Sequence, residues 1–79
     1  MKPVKDLINK ILWDEKENPE DYSLYYLDRI TKKYKEIKFK EIKKLEGDFL
    51  VLEREEETEI PLHRIKFVRK KGLVVWERK

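Results

Sequence analysis

His63-Arg64-Ile65-Lys66-Phe67-Val68-Arg69 and Leu73-Val74-Val75-Trp76-Glu77-Arg78 flank the triplet Lys70-Lys71-Gly72. Branched and aromatic residues dominate both runs, and a glycine in the short link accepts the positive φ that a tight turn needs, so the stretch reads as an antiparallel hairpin. A first strand starting after Pro61 puts His63, Ile65 and Phe67 on one face and Arg64, Lys66 and Val68 on the other. On that reading His63 lies on the core face, where a polar ring needs a partner or marks the mouth of a pocket.

Moving towards the N-terminus, residues 42–45 and 49–53 flank Glu46-Gly47-Asp48, a second hairpin signal. The acidic stretch 53–59 between the hairpins reads as a loop or frayed strand ends, and Pro61 marks an edge or a strand start. Ile37 and Phe39 alternate with lysines as a short strand, and residues 22–30 form a longer one rich in aromatic and branched side chains. Asn18-Pro19 punctuates a polar loop. Before it, Val4, Leu7, Ile8, Ile11 and Leu12 repeat at helical spacing, with Pro3 where a first turn tolerates proline. The pattern predicts an α+β fold: one domain over residues 1–79, with an N-terminal helix packed on a curled antiparallel sheet of about five strands. Leu7, Ile8 and Ile11 are expected to bury against strands carrying Phe49, Val51, Ile65 and Phe67.

Seventy-nine residues, 39% of them hydrophobic and 47% charged, allow one modest core under a heavily charged surface. The chain has no cysteine, which excludes disulfides, thiolate metal sites and cysteine nucleophiles. A single histidine makes a zinc site improbable, so no metal or cofactor is expected. Apolar runs reach four residues, too short to span a bilayer, and no apolar signal core follows Met1-Lys2, so the expected compartment is the cytoplasm. Net charge is only +3. It is unevenly spread: residues 32–44 carry seven lysines against two glutamates, a net +5. Residues 62–79 carry seven basic residues against one glutamate, a net +6. Segregation of this kind suits a polyanionic partner, although an ordinary solvated surface accounts for it equally well.

Enzyme signatures are missing. Two glycines cannot build a phosphate loop, Ser23 is the only serine, and His63 has no second histidine for paired acid–base work. Binding without catalysis is the economical conclusion. Candidates for it are arginines at strand ends, Arg29 and Arg78, which offer fork-shaped donors to a phosphate. Aromatic rings beside a basic surface are the means by which single-stranded RNA is held. For Trp13, Trp76 and the tyrosines, a place in the core is the competing role.

Trp13-Asp14, Tyr26-x-Asp28-Arg29, Ile60-Pro61-x-His63-Arg64-Ile65 and Val75-Trp76-Glu77-Arg78 occur in this order across nearly the whole chain. Together they resemble a family of small, mainly archaeal proteins long left uncharacterised, whose domain is named for recognition of RNA cyclic-group ends. The chain departs from that family's pattern at Glu77, where aspartate is more usual, and at Tyr25, where glycine is. The resemblance implies a module binding RNA ends that carry a 2′,3′-cyclic phosphate, or related processed ends, alongside RNA-processing proteins. His63, Arg64, Arg29 and Arg78 would then meet the phosphate, Tyr26 or Trp76 would stack on the last base, and Asp28 and Glu77 would orient the arginines. Two other classes stay open: a cyclic-phosphate phosphoesterase using His63 with Asp28 or a lysine, and a protein-interaction module using a sheet edge or an apolar patch.

Overall fold

The N-terminal helix α1 spans Val4–Trp13. It starts at Pro3, whose carbonyl accepts from the amides of Asp6 (3.1 Å) and Leu7 (3.4 Å). Asp6 adds a favourable negative charge to the first turn. Asp14 ends the helix by turning extended, and its carboxylate accepts from the Lys16 amide at 2.9 Å. The buried stripe is Val4, Ile8 and Ile11, with Leu7 and Leu12 half-buried beside it, as the spacing predicts.

The computed structural model describes residues 3–78; Lys79, counted in the second basic segment, lies outside them. After α1 come seven strands: β1 (Tyr22–Leu27), β2 (Tyr34–Lys38), β3 (Ile42–Glu46), β4 (Phe49–Leu52), β5 (Thr58–Pro61), β6 (Ile65–Lys70) and β7 (Leu73–Glu77). All pairings are antiparallel. They form a four-stranded sheet in the order β2-β1-β6-β7 and a three-stranded sheet in the order β3-β4-β5. The fold is therefore α+β with a helix first and antiparallel strands after, but in two sheets rather than one. Strand β5 is the element that the acidic composition hides: Thr58 to Pro61 pair with β4, with Ile60 opposite Leu50. Pro61 is tolerated because β5 is an edge strand.

Both hairpin turns have two-residue links. Glu46 pairs with Phe49, leaving Gly47 at φ 59°. Lys70 pairs with Leu73, leaving Lys71 at φ 50° and Gly72 at φ 86°, the two positive values of a type I′ turn. One cluster joins α1 to both sheets: Ile8 and Ile11 from the helix, Leu24, Ile37, Ile65, Val68 and Trp76 from the larger sheet, Leu50, Leu52 and Ile60 from the smaller. Phe49 and Phe67 do not belong to it. Residues 49–52 are apolar without a break, so their sequence does not fix which alternate residues face inward. The inward pair is Leu50 and Leu52; Phe49 is exposed, and Val51 is buried outside the central cluster.

Candidate functional site

Strand β6 does not begin after Pro61. Residues Leu62–Arg64 wind into a 3-10 turn closed by the Ile65 amide on the Leu62 carbonyl. Leu62 is the residue of this turn that enters the core, and His63 is exposed. The expected core-face placement of His63 is thus corrected. A second irregularity completes the correction. Tyr25 pairs with Phe67 and Tyr26 with Ile65, so Lys66 is an extra residue, a bulge that shifts the alternation of β6. Ile65 and Val68 both face the core, while Phe67 faces away from it.

Arg78 holds this turn from beneath. Its Nε donates to the Ile65 carbonyl at 3.0 Å and its Nη2 to the Leu62 carbonyl at 2.9 Å. The two bonds bracket His63-Arg64. The guanidinium also lies 5.2 Å from the centre of the Trp76 ring. Trp76 is 9% exposed and part of the core. Of the two residues expected at a ligand, Arg78 bonds the segment that carries His63 and Arg64, and Trp76 lies in the core beside the Arg78 guanidinium. Glu77 is exposed on the edge strand, and the contacts fixing Arg78 run to backbone carbonyls.

Across from this turn, β1 ends at Leu27 rather than Ile30. Asp28 explains the stop. Its Oδ1 accepts from the amides of Ile30 (2.8 Å) and Thr31 (3.2 Å), and its Oδ2 meets Lys35 Nζ at 2.8 Å. The Lys35 ammonium, followed by those two amides, pulls the Asp28 carboxyl down to about 2. Asp28 therefore fixes the turn that presents Arg29, and its ion pair is with Lys35 rather than with an arginine.

Two adjoining clefts lie between these turns. One, of about 440 Å³, is lined by Leu27, Arg29, His63, Arg64 and Lys66. The other, of about 530 Å³, is lined by Tyr26, Asp28, Arg29, Ile30 and Arg64. Arg29 and Arg64 are common to both. Among the described residues, the side chains of Arg29, His63, Arg64 and Lys66 take part in no hydrogen bond or ion pair. The four side chains line an open hollow, an arrangement suited to an anion with several oxygens. Lys66 reads in the sequence as one lysine of a basic segment, grouped with Lys38 and Lys40; its place beside Arg29 and Arg64 depends on the bulge. No cluster of three histidine or acidic side chains that could hold a metal ion occurs among the described residues. Among the described residues, no helix is long and apolar enough to cross a membrane.

Residues 1–78 match the family described as the MJ1316 RNA cyclic group end recognition domain. The chain belongs to this family. It is 37% identical over 78 residues to a UPF0248 protein of Saccharolobus islandicus, covering 95% of this chain and 98% of that one. A UPF0248 protein of Saccharolobus solfataricus is likewise 37% identical over 78 residues, covering 95% of both chains. A third, from Metallosphaera sedula, is 37% identical over 75 residues, covering 95% of this chain and 91% of that one. No solved structure matches.

Three of the four sequence motifs come together around the clefts in this member of the RNA cyclic group end recognition family. Tyr26-x-Asp28-Arg29 forms one wall of the clefts, and His63-Arg64 forms the other. Val75-Trp76-Glu77-Arg78 supplies the support under the second wall. The remaining motif, Trp13-Asp14, closes α1: Asp14 terminates the helix, and Trp13 is 80% exposed.

Proposed function

We propose that this chain binds the terminal phosphate of RNA in the paired clefts, selecting a 2′,3′-cyclic phosphate, without catalysis. The observation that carries the reading is the meeting of Arg29, His63, Arg64 and Lys66 around one hollow with their donors unspent. A cyclic phosphate is a compact monoanion whose ring ties up the 2′ oxygen, so the end offers acceptors and no 2′-OH donor. Arginine forks with a histidine donor match that chemistry. Tyr26 packs against the core and lines the adjoining cleft, and in this scheme its remaining surface stacks on the last base. Arg78 acts as a positioning residue in this scheme, through the Leu62 and Ile65 carbonyls. Hydrolysis would need a second titrating group beside His63. Asp28, held at about 2, is a weak base for that work.

The test compares one short RNA bearing cyclic-phosphate, 3′-phosphate or 3′-hydroxyl ends. Arg29→Ala, His63→Ala and Arg64→Ala should each erase the preference for the cyclic end while leaving thermal stability near that of the parent. Unchanged preference in all three variants would refute the site. Turnover of a 2′,3′-cyclic nucleotide that depends on His63 would replace binding with phosphoesterase activity.

A further inference from the structure

The face of the four-stranded sheet turned away from α1 carries side chains that the clefts do not use. The register sets Tyr25 between Glu36 and Phe67, Ser23 between Lys38 and Arg69, and Leu27 opposite Tyr34. Tyr25 and Phe67 stack with ring centres 4.7 Å apart and planes 14° from parallel. Tyr34 meets Phe67 edge-on at 5.2 Å and is 58% exposed on the edge strand. The Arg69 guanidinium lies 5.0 Å from the Tyr25 ring centre and 5.3 Å from that of Phe67. Glu36 is occupied, accepting the Tyr25 hydroxyl at 3.1 Å. Three rings and a guanidinium thus crowd one sheet face, with Tyr34 and Arg69 exposed and Tyr25 and Phe67 half-buried. Cross-strand aromatic pairs do stabilise sheets, but that alone accounts for neither the exposed Tyr34 nor the cation over the pair.

The position of this surface relative to the clefts is the second observation. Leu27 lines the first cleft and stands opposite Tyr34; Lys66 lines it and precedes Phe67. Cleft and rings are therefore continuous, separated by about 7 Å of strand. Lys38 and Arg69 flank the far end of the same face. A row of rings between two sets of cations has the chemistry of a single-stranded nucleic-acid surface: stacked bases over the rings, phosphates on the basic flanks.

We propose that this sheet face, through Tyr34, Phe67 and Arg69, stacks the unpaired bases that precede an RNA end held in the clefts. The inference rests on the end-binding reading and extends it to the substrate: a single-stranded tail rather than a bare terminal nucleotide or a duplex end. Two RNAs with the same cyclic-phosphate end test it, a dinucleotide and a longer single strand. The parent protein should bind the longer strand more tightly by about tenfold, the worth of one stacked base. That gain should vanish when the strand is annealed to a complement. Tyr34→Ala, at an exposed position, should lose most of the gain, as should Phe67→Leu, which keeps apolar bulk. Neither variant should change the ratio of affinities between cyclic and hydroxyl ends at fixed length. That ratio alone reports on the end-binding reading, so the two failures are distinguishable. A length gain that survives in both variants would overturn the proposal. So would a self-association of the chain that Tyr34→Ala abolishes while RNA affinity stays as in the parent.

Discussion

Arg78 and Arg64 sit on the same turn by different means, and their variants should separate cleanly. Arg78 gives two charge-assisted hydrogen bonds to carbonyls 13 and 16 positions away. Arg78→Ala strands both acceptors, so it should cost about 2–3 kcal/mol in a denaturant titration and loosen RNA binding with it. Arg64 touches solvent in the clefts, so Arg64→Ala should stay within about 0.5 kcal/mol of the parent while losing end preference. Asp28 gives a pH signature. Its folded carboxyl, held at about 2 by Lys35 and the turn amides, lies below the usual value near 4. A depressed carboxylate stabilises above its unfolded pKa, and that contribution fades as pH falls from about 4 towards 2. Asp28→Asn should therefore flatten the acid limb of the stability profile measured over that interval. Single residues were only partly legible in the sequence. Arg29 and Arg78 stood out as arginines at strand ends, His63 as the single histidine in a distinctive segment, and Arg64 through the family resemblance. The support role of Arg78 depends on long-range carbonyl contacts that spacing does not encode.

At the level of elements, α1 and both hairpins were readable because their signals are local: helical spacing in one, glycine turns in the others. Ile11 is fully buried, and Ile11→Ala should cost about 2–5 kcal/mol in unfolding free energy, a value its complete enclosure by other apolar side chains favours. Gly72 adopts φ 86°, a strained value for any L side chain, and Gly72→Ala should destabilise the second hairpin by about 1 kcal/mol. What the sequence did not disclose is the phase of the strands. Strict alternation through 63–69 sends His63 inward. The 3-10 turn at Leu62–Arg64 and the bulge at Lys66 reverse that outcome. Strand β5 was legible only in part for a related reason: Pro61 marks an edge, but Thr58 and Glu59 read as loop or frayed strand ends, and pairing with β4 makes them a strand.

Across the whole molecule, the two basic segments do not merge into one cleft. Lys66 lies with Arg29 and Arg64 at one end of β1, while Lys38 and Lys40 line a separate hollow beside Tyr22 and Ser23 at the other end. Binding confined to the clefts should give a modest salt dependence, about 0.7 log units of affinity per log unit of salt for each phosphate contact. Lys66→Ala should lower the slope by about that amount, measured as affinity across a salt series. The central claim is that the hollow between the two turns reads the chemistry of an RNA end. Its most direct test is the ratio of affinities of the parent protein for one short RNA with a cyclic-phosphate end and with a 3′-hydroxyl end, at fixed salt. A preference of about tenfold or more for the cyclic end is predicted, the worth of one charge-assisted hydrogen bond; equal affinity for the two ends would contradict the account.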